Sequence, residues 1–183
     1  MTTSSLPALT LILGGQRSGK SAVAERLVGG ADAVVYIATC RRFADDADMA
    51  ARIEAHRARR PGHWTVVEEP LDLAGALLAA NGPKGAGGHA VLVDSIGMWT
   101  ANLLAAGDDV SAATDAVLAT FSEMTAPVVM VAEEVGLGVI PDNAAARAFV
   151  DAMGMVNQRL ADAAAHVALV VAGQELTIKD TTQ

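Results

Sequence analysis

The sequence has 183 residues, of which 52% are hydrophobic and 3% aromatic, and its formal net charge at pH 7 is −8. This length fits one domain, since domains average roughly 150 residues, and the apolar content excludes a largely disordered chain. The negative charge argues against a protein that coats nucleic acid or an anionic membrane.

Short apolar runs alternate with longer helical patterns along the chain. In chain order the pattern predicts a strand at 9–13, a helix at 21–28, a strand at 33–38, a helix at 46–59, a strand at 64–68, a helix at 71–80, a strand at 90–94, two helices within 97–122, a strand at 127–134, a helix at 143–165, and strands at 166–173 and 176–179. Strands that alternate with helices indicate βαβ units and a mainly parallel sheet. We therefore expect an α/β fold in a single domain over residues 1–183.

A glycine-rich loop joins the first predicted strand to the first predicted helix. Its residues satisfy the pattern G-x-x-x-x-G-K-[ST], and we call them the phosphate loop: Gly14, Gly15, Gln16, Arg17, Ser18, Gly19, Lys20 and Ser21. Glycines let successive N–H groups turn toward one anion, and the following helix N-terminus adds partial positive charge. Lys20 can reach the β- and γ-phosphates of a nucleotide, and Ser21 can ligate Mg²⁺. The alternative is a tight turn with an accidental lysine, which the scarcity of lysine in this chain disfavours.

Asp94 ends the apolar run of the predicted strand at 90–94. An acid at the carboxyl end of a parallel strand lies at the crevice where such sheets bind ligands, so Asp94 is a candidate Mg²⁺ ligand. The alternative role is a cap for the helix that follows, because Asp is a preferred N-cap residue.

Positive charge is concentrated around His56, within the predicted helix 46–59. Arg52, His56 and Arg60 share one face of that helix at i, i+4 spacing,. A neutral imidazole can attack phosphorus, and neighbouring guanidinium groups can neutralise charge on phosphate oxygens. A merely solvated arginine-rich helix is the competing interpretation. The other histidines lack such a setting and are predicted in a loop, a loop and a strand start: His63, His89 and His166.

Cys40 is the only cysteine, so no internal disulfide can form and a reducing compartment is expected,. The first residues lack the basic region of a signal peptide. No stretch approaches the roughly 18 consecutive apolar residues of a membrane span. We therefore expect a cytoplasmic protein without a membrane span.

Several segments together resemble one known family, the bifunctional adenosylcobinamide kinases / adenosylcobinamide-phosphate guanylyltransferases of cobalamin biosynthesis. The resemblance covers nearly the whole chain. The most specific segments are the series from Asp46 to Trp64 around His56 and the segment "EVGLGVIP"; others are "GGQRSGKS", "VLVDSIGMWTANLL" and "AAARAFVDAMGMVNQRLA". It implies a three-layer P-loop NTPase fold of the RecA-like type, with ATP and GTP as substrates and Mg²⁺ as cofactor.

The resemblance also implies roles for individual residues. It implies that His56 carries GMP as a covalent phosphoramidate, and that Lys20 acts in the kinase step. The residues implied to contact the guanine nucleotide are Ala38, Thr39, Cys40, Arg57, Ala58, Arg59, Arg60, Glu68 and Asp94. A corrinoid acceptor and a homo-oligomer, such as a trimer, are implied as well.

This chain departs from the family pattern at three positions. Asp48 stands where Glu is usual, Cys40 where Ser is frequent, and Glu133 where Asn is common. Glu133 adds a second carboxylate near the predicted crevice.

Three other functions stay open at this point. A monofunctional P-loop kinase for small molecules would need the phosphate loop but not His56. A GTP-binding module would bind nucleotide without turnover. A third is a guanylyltransferase that has lost its kinase activity.

Overall fold

The computed structural model describes residues 6–41, 54, 61–81 and 89–181. In chain order the elements are β1 (Leu9–Gly14), α1 (Lys20–Val28), β2 (Ala33–Ala38), β3 (Thr65–Glu68), α2 (Leu73–Ala80), β4 (His89–Asp94), α3 (Ile96–Ala106), α4 (Val110–Thr120), β5 (Val128–Glu133), α5 (Ala144–Ala163), β6 (His166–Val171) and β7 (Gln174–Asp180). The predicted helix 46–59, including His56, lies outside the described residues except for residue 54.

The strands form one seven-stranded sheet in the order β3-β2-β4-β5-β1-β6-β7. Every neighbouring pair is parallel except β6 and β7, which form an antiparallel hairpin. The prediction of a mainly parallel α/β sheet is therefore confirmed. The predicted strand at 166–173 is shorter, because Ala172 and Gly173 adopt positive φ angles of 51° and 78° and turn the chain into β7.

Both faces of the central strands are buried, which explains their continuous apolar sequences. In β1, Leu11 and Leu13 belong to the larger core cluster, which includes residues of α2, α3, α4 and α5. Ile12 points to the other face, where it packs in a second cluster with Val23 and Val28 of α1. The sheet therefore forms the middle of three layers.

Polar side chains cap the N-termini of four helices by accepting hydrogen bonds from backbone amides that would otherwise lack a partner. Asp72, Ser95, Asp109 and Asn143 each accept a hydrogen bond from an amide in the first turn of α2, α3, α4 and α5, respectively. Such caps typically contribute about 1 kcal/mol each. Within the described residues, no helix combines the length and hydropathy needed to cross a membrane.

Leu11→Ala should lower the free energy of unfolding by about 3 kcal/mol, because it leaves a cavity beside an interior strand of the sheet. Leu11 has 0% exposure, whereas Leu78 on α2 is 42% exposed. The same change at position 78 should therefore cost less than about 1 kcal/mol. Urea denaturation of both variants measures the difference, and equal losses would contradict the burial of Leu11 in the core.

Candidate active site

The phosphate loop is held by backbone contacts from two neighbouring segments. The carbonyl oxygen of Gly14 accepts a hydrogen bond from Glu134 N at 3.1 Å, and that of Ser18 accepts one from Gly173 N at 2.8 Å. A turn within the loop joins Ser18 N to the Gly15 carbonyl at 3.2 Å. The loop is thus fixed by the end of β5 on one side and by the β6–β7 turn on the other.

Helix α1 begins differently from the other described helices. Its N-cap is Gly19, with φ 97°, which has no side chain to accept the first amides. Lys20 N lies 3.4 Å from Ser18 Oγ, at the long limit of a hydrogen bond,. A helix N-terminus without an N-cap side chain leaves N–H groups and partial positive charge for an anion. The local geometry therefore agrees with the phosphate-binding role predicted for residues 14–21.

The Lys20 side chain is folded back into the site. Its Nζ lies 3.5 Å from Glu133 Oε1, and the two side chains are 9% and 22% exposed. The same Nζ donates to the Gly15 carbonyl at 3.4 Å. Glu133 Oε2 accepts a hydrogen bond from Gly97 N, the second residue of α3, at 2.9 Å. The second carboxylate expected near the crevice is therefore located beside the loop lysine.

Three residues of the predicted nucleotide site lie in one row across the sheet. Ala38 of β2 is paired with Glu68 of β3 and with Asp94 of β4, at the carboxyl ends of these strands. Asp94 Oδ2 accepts a hydrogen bond from the Tyr36 hydroxyl at 2.9 Å. The alternative role of Asp94 as a helix cap is wrong, because Ser95 caps α3.

The segment after β2 is locked onto the start of α3. Thr39 is fully buried; its Oγ1 donates to the Ser95 carbonyl at 2.6 Å and accepts from Ser95 N at 2.9 Å. Asn102 of α3 donates to the carbonyls of Thr39 at 2.8 Å and Pro70 at 3.1 Å. Cys40 follows, half-buried. Thr39 is therefore fixed beside Asp94 by contacts of both its side chain and its carbonyl oxygen.

Part of the predicted site lies outside the described residues: His56, Arg57, Ala58, Arg59 and Arg60. Of the remaining histidines, His63 lies in a turn and His166 begins β6, as predicted. The prediction of His89 as a loop residue is wrong. His89 is the first residue of β4, where its Nε2 lies 2.7 Å from the Ala80 carbonyl oxygen.

Sequence reasoning missed three residues that shape the site. Asn102 and Asn157 are buried, and Asn157 donates to the Glu133 carbonyl at 3.0 Å. Gly173 donates to the phosphate loop across 155 positions of sequence, and no local pattern marks this contact. The sequence does carry a sign of the two asparagines, since each is a polar residue on an otherwise apolar helical face. A buried amide on such a face indicates a required partner.

The two expected Mg²⁺ ligands, Ser21 and Asp94, both lie in the described part of the chain. No three His, Cys, Asp or Glu side chains among the described residues could together hold a metal ion. Ser21 in the first turn of α1 and Asp94 at the end of β4 both supply oxygen at the carboxyl edge of the sheet. Mg²⁺ usually takes one or two such ligands and completes its shell with water and substrate phosphates.

Proteins of similar sequence span almost the whole chain. The family model described as cobinamide kinase / cobinamide phosphate guanyltransferase matches residues 10–178. The chain is 41% identical over 172 residues to the bifunctional adenosylcobalamin biosynthesis protein CobP of Pseudomonas aeruginosa, with 92% of this chain and 96% of that protein covered. It is 38% identical over 186 residues to the bifunctional protein CobU of Escherichia coli, with 93% and 99% covered. The CobU protein of Salmonella typhimurium is 40% identical over 186 residues, with the same shares covered.

Solved structures with a similar fold are larger proteins. The P4 protein from bacteriophage phi6 in complex with ADP has a TM-score of 0.50 at 18% identity, covering 99% of this chain and 59% of that chain. An ATPase from the type III secretion system of pathogenic bacteria has a TM-score of 0.58 at 11% identity, covering 95% and 57%. At these identities the likeness shows the fold alone, which is that of the P-loop NTPases.

Gly14→Ala should weaken ATP binding at least about tenfold, because about 1.4 kcal/mol of packing strain would fall on the phosphate loop. A Cβ at position 14 would lie 2.4 Å from Ser18 Oγ and 2.9 Å from the Val170 carbonyl oxygen. At Gly154 on α5 a Cβ meets nothing within 4 Å, so Gly154→Ala is the matched control. Calorimetric titration with ATP compares the two, and unchanged affinity in Gly14→Ala would contradict the close packing of the loop.

Proposed function

The chain belongs to the cobinamide kinase / cobinamide phosphate guanyltransferase family, and on that premise we propose that it catalyses both reactions. In the first, ATP or GTP phosphorylates the aminopropanol hydroxyl of adenosylcobinamide. In the second, GMP passes from GTP to that phosphate and gives adenosylcobinamide-GDP. The observation that carries the proposal is the phosphate loop, with its uncapped helix N-terminus and its buried lysine. The chain that contains this loop is related to bifunctional enzymes over 92–93% of its length.

In the kinase step, the phosphate loop and Lys20 hold the triphosphate. The acceptor hydroxyl oxygen attacks the γ-phosphorus, the bond to the β-phosphate oxygen breaks, and the nucleoside diphosphate leaves as the hydroxyl proton passes to water. Catalysis of this kind depends mainly on positioning and on neutralising phosphate charge. The loop amides and the Lys20 ammonium supply both.

In the guanylyl transfer, His56 is the proposed nucleophile. Its ring nitrogen attacks the α-phosphorus of GTP, pyrophosphate leaves, and a phosphoramidate holds the GMP. An oxygen of the corrinoid phosphate then attacks that phosphorus, the bond to nitrogen breaks, and the imidazole is regenerated. A nucleophile that is also a good leaving group when protonated suits such a two-step transfer.

The proposed nucleotide contacts divide between the two sides of the crevice. Residues 14–21 bind the phosphates. The proposed guanine-nucleotide contacts are Ala38, Thr39, Cys40, Arg57, Ala58, Arg59, Arg60, Glu68 and Asp94. The described members of this set support the assignment, because Ala38, Glu68 and Asp94 lie in one row at the carboxyl edge.

Ser21 and Asp94 are proposed to hold Mg²⁺. The bound ion would neutralise negative charge on the phosphate oxygens during transfer. Asp94 is oriented for this role by the Tyr36 hydroxyl, which donates a hydrogen bond to its Oδ2 at 2.9 Å.

We further propose a single-domain homo-oligomer, such as a trimer, that acts in the cytoplasm. One seven-stranded sheet includes strands from residue 9 to residue 180, which supports a single domain. Large apolar side chains are exposed on the loop after β5 and on the β6–β7 hairpin: Leu137, Val139, Ile140, Val171, Leu176 and Ile178. Exposed apolar groups of this kind support contact with other subunits.

His56→Ala should abolish covalent labelling by GTP that carries a label in its α-phosphate. The wild-type chain should form an acid-labile, alkali-stable adduct, because a phosphoramidate has that stability profile. His63→Ala is the matched control, since His63 lies exposed in a turn, and it should be labelled like the wild type. Label on His56→Ala would rule out this nucleophile, and no label on the wild type would favour a monofunctional kinase or a binding module.

Lys20→Met should lower the kinase rate by at least about a hundredfold, since it removes the charge that contacts the transferred phosphoryl group. Transfer of γ-label from ATP to cobinamide measures this step. Wild-type chain that guanylylates cobinamide phosphate but does not phosphorylate cobinamide would show that the kinase activity is absent. A Lys20→Met rate near that of the wild type would contradict the proposed role of the lysine.

A further inference from the structure

Glu133 lies between two parts of the nucleotide site. One carboxylate oxygen is 3.5 Å from Lys20 Nζ of the phosphate loop. The other accepts a hydrogen bond from Gly97 N at 2.9 Å, in the first turn of the helix that follows Asp94. The side-chain amide of Asn157 donates a hydrogen bond to the backbone carbonyl oxygen of Glu133. Both the backbone and the carboxylate of Glu133 are therefore held in place.

We propose that Glu133 is a positioning residue that acts as the resident counter-ion of Lys20. It pairs with the ammonium group while the site lacks nucleotide and gives up this partner when the β- and γ-phosphates bind. The inference rests on the proposed function only in requiring that the phosphate loop binds a triphosphate. It does not depend on the acceptor or on His56.

Burial explains why the lysine needs such a partner. The Lys20 side chain is 9% exposed, and an unpaired ammonium group at that depth would be unfavourable. Its other contact, with the Gly15 carbonyl, is long at 3.4 Å. Both contacts are longer than strong charge-assisted hydrogen bonds of about 2.8 Å, so phosphate oxygens can replace them.

The hydrogen bond to α3 keeps the carboxylate in place after the exchange. A Cβ at position 97 would lie 2.0 Å from Glu133 Oε2, so the carboxylate occupies space that only glycine leaves open. After nucleotide binding, the negative charge therefore remains beside the phosphates. Glu133 opposes triphosphate binding through the ion pair that must be broken, and in addition through direct repulsion.

A double-mutant cycle separates these two effects. Tripolyphosphate is titrated calorimetrically into the wild type, Glu133→Gln, Lys20→Met and the double variant, with and without Mg²⁺. Glu133→Gln should bind about three- to tenfold more tightly than the wild type, because the lysine no longer has to leave a charged partner. In the Lys20→Met background the same change should alter the Kd less than about twofold.

Glu123→Gln is the control, because it removes one negative charge from an exposed position after α4. It should bind tripolyphosphate like the wild type. If Glu133→Gln does not fold, Glu133→Asn takes its place with the same expectation. A urea unfolding curve of each variant confirms that folded proteins are compared.

Other results would overturn the proposal. Equal tightening with and without Lys20 would assign the effect to direct repulsion, and weaker binding only with Mg²⁺ would make Glu133 a metal ligand. Unchanged affinity would show that the pair positions nothing. A wild type that binds no tripolyphosphate would overturn the proposed function as well, whereas absent corrinoid phosphorylation with normal tripolyphosphate binding would overturn the proposed function alone.

Discussion

The parallel pairing of β4, β5 and β1 is the constraint on which the rest of the structure depends. It aligns Gly14 with Glu133 and brings the end of β4, with Asp94, to the same edge of the sheet. Parallel strands end together only when helices return the chain to the opposite edge. The apolar core on both faces of β1 thus supports the site, because the strands that it anchors carry the phosphate loop, Lys20 and two carboxylates to one edge of the sheet.

Close packing at this edge of the sheet leaves no space for side chains at several glycine positions. A Cβ at Gly14 would clash with Ser18 and Val170, and one at Gly97 would clash with Glu133. Gly19 packs closely against Gly173. These glycines belong to different elements, yet each permits a close approach beside the phosphate loop. The rigidity suits phosphoryl transfer, in which an enzyme gains most by presenting charges that are already in position. The apolar core on both faces of the sheet supports this geometry.

The positive charge of the phosphate loop includes one lysine, which has an acidic partner. In an acidic chain, a single lysine serves the phosphate loop, and the structure pairs it with an acid rather than leaving it exposed. In the proposed mechanism, an incoming phosphate takes the place of this acid as the partner of the lysine. The proposed second reaction needs positive charge near the α-phosphorus, for which the arginines beside His56 are suited by their residue type. The two proposed reactions would thus draw on two separate sources of positive charge.

Local pattern was sufficient for much of this protein. Apolar runs, helical periodicity and the spacing of glycine, lysine and serine in residues 14–21 are properties of neighbouring residues, so they indicated the parallel sheet and the phosphate loop. The same local pattern left a helix cap open as the alternative role of Asp94, because Asp and Ser both favour that position. The backbone path shows that Ser95 is the cap of α3. The Lys20–Glu133 pair, the Asn102 contacts and the Gly173 hydrogen bond join residues that are far apart in sequence. Only the tertiary structure decided them, because distances between such residues depend on strand order and register, which local sequence does not encode.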